Sequence, residues 1–275
     1  MESAIILKQL TTGYRQKGKS RVVCKEMNAT LMSGQLTCLI GPNGTGKSTL
    51  LRTLAAFQPA LDGEIIFLGQ PLNQYSNEEL AKRISIVLTN NSHIKNLTTY
   101  EVIGLGRSPY TGFWGRLSEH DHQIIRQCIQ RVGIEKVAQQ AFQTLSDGER
   151  QKAMIAKAIA QETPVILLDE PTAFLYYPNK VGVMLMLRSL AHDMGKTILM
   201  SIHDIDLALQ VADNIWLLTE EGTLINGTPE QLCSDGTIQR HVVSKDIEFD
   251  TSRRTFSITL PPLSQSSSIP YTKNI

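Results

Sequence analysis

Short apolar runs alternate along the chain with segments in which apolar residues recur at helical spacing. The runs lie at residues 36–40, 83–88, 165–168 and 197–202, and each borders a helical pattern. Unbroken apolar runs are typical of strands buried on both faces, and their alternation with helices is typical of a largely parallel sheet. The pattern therefore predicts an α/β fold.

The pattern changes over about residues 95–160, where helical periodicity continues without a convincing buried strand. We expect a helical insertion there, carried on the α/β core. Ser118 and Asp121 begin one of its helices as a capping box, with apolar positions following at helical spacing. The neighbouring His120 and His122 are interpreted as part of a solvated first turn and not as metal ligands.

Two hairpins are predicted near the C-terminus, each with a polar turn between two short strands. The four strands are expected at residues 214–218, 223–225, 247–249 and 255–260. From residue 261 the chain is rich in Pro and Ser, which is typical of a mobile tail. We therefore expect a main domain at residues 1–240, followed by a C-terminal hairpin and tail at residues 241–275.

A glycine-rich loop follows the first apolar run. Residues 41–48 read Gly-Pro-Asn-Gly-Thr-Gly-Lys-Ser and fit G-x-x-x-x-G-K-[ST] between a predicted strand and a predicted helix. Such a loop turns successive N–H groups toward a phosphate, beside the positive end of the helix. Lys47 is expected to reach the β- and γ-phosphates of a nucleotide, and Ser48 to bind Mg²⁺. The residues expected around the nucleotide are Gly41, Pro42, Asn43, Gly44, Thr45, Gly46, Lys47, Ser48 and Thr49.

Two adjacent carboxylates end the apolar run at residues 165–168. A parallel strand delivers such residues to the crevice at its carboxyl end, which is the Walker B arrangement of nucleotide-hydrolysing proteins. Asp169 is expected to bind Mg²⁺, and Glu170 to orient and polarise the attacking water. Taken alone, the run also fits a buried strand followed by a helix cap, but the phosphate loop upstream favours the catalytic interpretation.

Residues 145–151 read Leu-Ser-Asp-Gly-Glu-Arg-Gln and stand immediately before a predicted helix. Together with the two motifs above, this segment resembles the signature of the ABC ATPase family, usually Leu-Ser-Gly-Gly-Gln. The resemblance extends over about residues 4–236 and implies a P-loop NTPase (RecA-like) core with a mainly parallel sheet, an antiparallel β subdomain and a helical signature subdomain. It also implies a homodimer in which Ser146 and the Gly148 N–H contact the γ-phosphate of ATP held by the other copy. Ser146 equally fits a helix N-cap, with Glu149 completing a capping box.

Two further residues match this family by position. His203 follows the apolar run at residues 197–202 and resembles the switch histidine that contacts the γ-phosphate and the attacking water. Tyr14 resembles the aromatic residue that stacks on adenine. Without the other motifs, a histidine at a strand end is more often structural, and Tyr14 also fits a surface turn.

The chain departs from the family pattern at three places. Thr89 and Asn90 stand where a glutamine usually senses Mg²⁺, so we expect Thr89 to contact the metal through water, or Asn90 to supply the contact. Tyr176 replaces an aspartate that usually takes part in communication across the dimer. Asp147 and Glu149 add negative charge to the signature, which Arg150 and the helix dipole are expected to offset. Because Lys47, Ser48, Asp169, Glu170 and His203 are intact, we expect slow-to-moderate hydrolysis.

Composition narrows the remaining possibilities. The 275 residues carry 27 basic and 26 acidic side chains, so no global charge attracts nucleic acid, and none is expected as a partner. The four cysteines have neither disulfide nor metal-site spacing and are expected as reduced thiols. The first ten residues lack the features of a secretory signal, and no run approaches the roughly 18 apolar residues needed to cross a bilayer.

Residues 102–110 resemble a segment of the ATPases that serve importers of iron–siderophore complexes, haem and cobalamin. This resemblance implies separate permease subunits, a location at the cytoplasmic face of the cell membrane and, indirectly, a substrate-binding protein. Tyr110, Phe113 and Trp114 either contact the permease or pin their loop to its own domain.

Two other functions compete with import. A soluble ABC ATPase serving metal-cluster assembly stays open, whereas a GTPase is disfavoured because the chain has no Asn-Lys-x-Asp tetrad.

Overall fold

The computed structural model describes residues 2–16, 19–88, 94–173, 175–243 and 247–259. The strands are β1 (Ser3–Gln16), β2 (Lys19–Met32), β3 (Leu36–Ile40), β4 (Asp62–Phe67), β5 (Gln70–Pro71), β6 (Ile84–Val87), β7 (Val165–Leu168), β8 (Thr197–Ser201), β9 (Asn214–Leu218), β10 (Leu224–Gly227), β11 (Ile247–Asp250) and β12 (Thr255–Ile258). The helices are α1 (Lys47–Leu54), α2 (Asn77–Ala81), α3 (Thr99–Gly104), α4 (Glu119–Val132), α5 (Asp147–Ala160), α6 (Tyr177–Met194), α7 (Ile205–Val211), α8 (Pro229–Ser234) and α9 (Thr237–Val242).

The central sheet confirms the predicted parallel core. Its strand order is β10-β9-β3-β8-β7-β6, and all neighbours are parallel except β9 and β10. Every residue of β3, β7 and β8 is buried, because the sheet is covered on both faces. The carboxyl ends of these three strands therefore meet at one edge of the sheet, where the motifs begin.

A second sheet, in the order β2-β1-β4-β5, is antiparallel and confirms the implied β subdomain. Helix α1 lies between the two sheets, and its Leu50, Leu51 and Leu54 share one apolar cluster with Leu7 of β1 and Leu39 of β3. Burial of this apolar helix face fixes the phosphate loop, which leads into α1, against both sheets.

Between residues 94 and 160 the structure contains helices and no strand, with one isolated bridge between Thr98 and Ala141. Helices α4 and α5 pack together through apolar residues such as Ile125, Cys128 and Ile155. A predicted capping box forms at the start of each helix, at Ser118 for α4 and Ser146 for α5. These boxes satisfy first-turn N–H groups and fix where the two helices begin.

Both predicted C-terminal hairpins are present. Strands β9 and β10 pair antiparallel, and β11 pairs with β12 so that Ile247 faces Ile258. The second hairpin contacts α7, since the Phe256 N–H donates to Asp206 Oδ1 at 3.0 Å and the Arg254 guanidinium donates to the Leu209 carbonyl. The expected tail lies outside the described residues. No helix in the described ranges has the length and apolar character to cross a membrane.

Candidate functional site

The glycine-rich loop joins β3 to α1 in a conformation that side chains would obstruct. Gly46 has φ +109°, and a Cβ built on it would lie 2.5 Å from Val23 Cγ1 and 2.7 Å from Cys24 Sγ. Gly41 has φ +145°, and its Cβ would overlap the Leu218 carbonyl. No side chain caps the start of α1. The first-turn N–H groups are thus left for a ligand, and a helix N-terminus of this kind attracts anions.

Lys47 extends back across this loop. Its Nζ donates to the carbonyl oxygens of Gly41 at 2.8 Å and Pro42 at 2.9 Å. Burial lowers the pKa of the Lys47 ammonium, while the nearby Glu170 and Asp169 carboxylates raise it. The lysine is therefore held at the centre of the loop as a donor close to both carboxylates.

Asp169 and Glu170 follow β7, and the neighbouring strand β8 supplies a residue that joins them. The Ser201 hydroxyl donates to Asp169 Oδ1 and accepts the Glu170 N–H, both at 2.8 Å. Glu170 itself has φ +51°, in the left-handed region. His203 Nε2 lies 2.6 Å from Glu170 Oε1. The ends of two adjacent parallel strands thus form one hydrogen-bonded group.

Ser201 was missed in the sequence interpretation. A signal for it exists, because Ser201 is the hydroxyl nearest the end of an apolar run and stands two residues before His203. Its partner was not evident from the sequence, since the pairing of β7 with β8 puts Leu168 opposite Met200 and hence Asp169 beside Ser201.

A cleft of about 300 Å³ brings Tyr14 together with the glycine-rich loop and Glu170. The Tyr14 hydroxyl hydrogen-bonds the Thr49 hydroxyl at 2.7 Å, and 40% of the Tyr14 surface is exposed. Arg21 pairs with Tyr14 across β1 and β2 and lines the same cleft, although no sequence motif singles it out. The cleft therefore combines an exposed aromatic face, cationic groups and a carboxylate.

Ser146 and Gly148 do not line this cleft. They border a separate cavity of about 370 Å³ together with Lys152 and Asn179. Ser146 caps α5, and its hydroxyl donates to Glu149 Oε2 at 2.6 Å. The predicted site residues that the structure describes therefore fall into two groups, one around the glycine-rich loop and one at the start of α5, which line different cavities. Thr89 and Asn90, the expected metal contacts at the position where the family usually has a glutamine, lie outside the described residues.

Oxygen donors are available for a hard divalent cation in the first group. The Ser48 hydroxyl lines the cleft, and the Asp169 carboxylate is held by Ser201. No group of three or more His, Cys, Asp or Glu side chains within the described ranges forms a metal site. A donor set of one carboxylate and one hydroxyl suits Mg²⁺, which usually keeps few protein ligands and completes its shell with phosphates and water.

The chain is similar in sequence to known proteins. A family model for ABC transporters matches residues 24–173. An ABC transporter ATP-binding protein of Methanocaldococcus jannaschii is 40% identical over 81% of this chain and 76% of its own length. The iron(3+)-hydroxamate import ATP-binding protein FhuC of Bacillus subtilis is 32% identical, with 92% of each chain covered. The ferric enterobactin transport ATP-binding protein FepC of Escherichia coli is 34% identical, with 84% of each covered.

Solved structures share the fold. An inward-facing metal-chelate type ABC transporter matches with a TM-score of 0.73 and 26% identity, covering 84% of this chain and 85% of that chain. A dimeric ATP-binding cassette bound to ADP and phosphate after hydrolysis matches with a TM-score of 0.72 and 27% identity, covering 82% and 98%. The chain therefore belongs to the ABC transporter family, as an ATP-binding subunit that hydrolyses ATP.

Proposed function

We propose that this subunit drives import of an iron–siderophore, haem or cobalamin type ligand through a separate permease, at the cytoplasmic face of the cell membrane. The relatives named for iron(3+)-hydroxamate import and ferric enterobactin transport support the ligand class. The metal-chelate type transporter structure supports it independently. A substrate-binding protein delivers the ligand to the outer side of the permease.

Different site residues bind the phosphates, the adenine and the metal ion of bound ATP. The loop of residues 41–46 and the start of α1 hold the phosphates, and Lys47 exchanges its loop carbonyls for the β- and γ-phosphate oxygens. Tyr14 offers its exposed face to adenine, and its bond to Thr49 fixes the ring. Ser48 and Asp169 would hold Mg²⁺, which would neutralise phosphate charge.

Hydrolysis follows from the group at the ends of β7 and β8. Glu170 accepts a hydrogen bond from water and aligns the water oxygen with the γ-phosphorus. The new P–O bond forms as the bond from γ-phosphorus to the bridging oxygen breaks, which gives ADP and phosphate. His203 holds Glu170 in place, and the 2.6 Å contact between them is the observation that carries this proposal. Ser201 fixes Asp169 and the Glu170 backbone.

The separation of the two residue groups supports a homodimer. Because Ser146 and Gly148 lie outside the cleft that contains Lys47, they reach a γ-phosphate only across an interface. Two-fold symmetry then produces two equivalent sites, each with a loop from one copy and a signature from the other. ATP holds the dimer closed, and this closure moves the permease; loss of the γ-phosphate contacts on hydrolysis lets the dimer reopen. The cassette dimer bound to ADP and phosphate is a precedent.

The permease is proposed to contact a cleft of about 620 Å³ beside the helical region. Phe57, Leu105 and Lys157 are among its lining residues. Phe113 and Trp114 follow the lining residue Pro109 by four and five positions and are 95% and 81% exposed, as expected of residues that contact a partner protein. Tyr110 instead pins its loop to its own domain, since its ring lies over the Arg107 guanidinium and its hydroxyl donates to the Gln161 carbonyl.

The proposed domain division assigns residues 1–240 to the ATPase unit, with the helical insertion at about 95–160, and residues 241–275 to an appended segment. Tyr176, exposed at the start of α6, replaces a carboxylate at the proposed interface, so communication across this dimer uses other contacts.

Crosslinking tests the dimer directly. In a hydrolysis-blocked Glu170→Gln background, Asn43→Cys and Ser146→Cys are combined, and ATP is expected to produce a disulfide between chains. ADP is the control, because it lacks the γ-phosphate that both positions approach. Absence of ATP-dependent crosslinking, with nucleotide binding intact, contradicts the dimer.

Co-purification with a permease, followed by ATPase assays with ferric siderophores, haem and cobalamin, tests the ligand class. Failure to associate with any permease would instead favour a soluble role such as metal-cluster assembly.

A further inference from the structure

The signature hydroxyl is already engaged inside its own helix. Ser146 Oγ donates to Glu149 Oε2 at 2.6 Å, and the Ser146 N–H donates to the same oxygen at 3.0 Å. An ionised carboxylate only accepts hydrogen bonds, so the single hydroxyl proton of Ser146 points to Glu149. These bonds hold the pKa of Glu149 below its usual range, which keeps the carboxylate charged at neutral pH.

The chain contains its own comparison for this contact. Within the residues that the structure describes, five helices begin with capping boxes, and in the four with an acidic third residue the cap hydroxyl donates to that carboxylate. The pairs are Ser76 with Glu79, Thr98 with Glu101, Ser118 with Asp121 and Ser146 with Glu149. The fifth box pairs Thr228 with Gln231, whose side chain accepts the backbone N–H at 2.9 Å and receives no bond from the Thr228 hydroxyl. A glutamine thus keeps the backbone bond of the cap without accepting from the cap hydroxyl, and the Thr228 hydroxyl instead helps to lower the pKa of the neighbouring Glu230 carboxylate.

This difference matters at Ser146 because of where α5 begins. Ser146, Gly148 and Glu149 line the same cavity, so the carboxylate lies beside the groups proposed to contact the partner's phosphate. The adjacent Asp147 is paired with Arg150 at 3.1 Å, which leaves Glu149 as the acidic group bonded to the signature hydroxyl. To accept the Ser146 hydrogen bond, a phosphate has to replace the Glu149 carboxylate as its acceptor. The negative phosphate is also repelled by that carboxylate.

We propose that Glu149 is a positioning residue that holds the Ser146 hydroxyl away from the partner's γ-phosphate and so raises the ATP concentration needed to close the dimer. This inference rests on the proposed function, in which Ser146 contacts ATP held by the other copy. Closure transfers the Ser146 O–H bond from the carboxylate to the phosphate, and reopening returns it. Glu149 therefore keeps the resting dimer open until ATP is abundant.

The closing test measures ATP-driven dimerisation by sedimentation in the Glu170→Gln background. The Glu149→Gln variant is expected to lower the half-saturating ATP concentration about tenfold, since one charge-assisted hydrogen bond no longer competes. Its melting temperature is expected to stay near that of the parent, because glutamine preserves the backbone bond. The matched control is Glu79→Gln, which makes the same change in the Ser76 box and is expected to leave the ATP midpoint unaltered.

A double-mutant cycle identifies the route of the effect. In a Ser146→Ala background the Glu149→Gln change is expected to shift the ATP midpoint by no more than about twofold, the residue of charge repulsion. An unchanged tenfold shift there overturns the inference, as does an equal or higher midpoint in Glu149→Gln itself. If ATP dimerises no variant although each binds nucleotide, the proposed function fails and this inference with it.

Discussion

His203 Nε2 lies 2.6 Å from Glu170 Oε1, although the two residues follow different strands. Strands β7 and β8 are neighbours in register, so the residues beyond their carboxyl ends approach each other. Glu170 adopts a left-handed backbone conformation there, and its N–H is held by Ser201. The carboxylate is thus fixed from its side chain and from its backbone, which favours one orientation toward a water molecule.

Glu170→Gln is expected to reduce ATP turnover by at least about a hundredfold, because the amide keeps the shape of the side chain but not its basicity. ATP binding should persist, as Lys47 and the glycine-rich loop are unchanged. Phosphate release and binding of a fluorescent ATP analogue are the two measurements. The control is Glu220→Gln in an exposed turn, and equal turnover in both variants would contradict the assignment.

Ser201→Ala is expected to lower kcat about tenfold, because Asp169 loses a donor and the Glu170 N–H loses its acceptor. The matched control is Ser85→Ala on β6 of the same sheet. It removes a buried hydroxyl that accepts a hydrogen bond from the Thr163 hydroxyl. Both variants should lose stability, about 1–3 kcal/mol for an unsatisfied buried group. Only Ser201→Ala should lose turnover, and a parallel loss in Ser85→Ala would show a general effect of destabilisation.

Gly46→Ala is expected to abolish nucleotide binding. The new Cβ would lie 2.5 Å from Val23 Cγ1 and 2.7 Å from Cys24 Sγ, which forces the loop to move. Gly69 supplies the control, since it also has positive φ, at +85°, but has open space around its Cβ position. Gly69→Ala should therefore show the backbone cost, about 1 kcal/mol, without loss of binding. Titration with a fluorescent nucleotide and a melting curve separate the two effects.

The buried ion pair of Arg107 and Asp121 predicts a specific acid sensitivity. Their atoms Nε and Oδ1 lie 2.7 Å apart, and Arg107 also bonds Glu162 and the Ala160 carbonyl. The Ser118 hydrogen bonds, followed by Arg107, lower the pKa of Asp121 from an ordinary 3.8 to about 2.

A carboxyl group whose pKa is lower in the folded protein than in the unfolded chain stabilises the fold at pH values above the unfolded pKa. This stabilisation is lost as the pH falls toward the folded pKa, here between about pH 4 and pH 2. The lowered pKa of Asp121 corresponds to a contribution of about 2 kcal/mol to the free energy of unfolding at pH 7. The urea midpoint of Asp121→Asn should therefore lie below that of the parent at pH 7, and the gap should narrow below pH 4. A gap that is constant with pH would exclude this origin.

The four cysteines are predicted to be inert in the folded chain. All are buried, and burial raises the pKa of the Cys128 thiol to about 12. A raised pKa keeps the thiol protonated through pH 9, so little thiolate is present to react. Maleimide labelling followed by mass spectrometry should show no addition until urea unfolds the protein. Ser257→Cys, on an exposed position of β12, is the reactive control.

Prediction from the sequence succeeded where short-range patterns decide structure. The apolar runs marked β3, β7 and β8, and the capping boxes marked the starts of α4 and α5. It could not foresee the contacts of Ser201, because these depend on which strands are neighbours. It also left open whether Tyr110, Phe113 and Trp114 contact a partner or their own domain. In the structure Tyr110 packs on Arg107, whereas Phe113 and Trp114 stay exposed.

The sequence by itself determined the motifs, their order and the elements that carry them, because a glycine-rich loop, an apolar strand and a helix cap each depend on residues close together in the chain. Tertiary structure alone decided which side chains meet. The sheet order brings Asp169 to Ser201 and Glu170 to His203, and it leaves Ser146 facing a different cavity from Lys47. Such contacts join residues far apart in sequence, so they arise only once long-range strand pairing and core packing have chosen one arrangement.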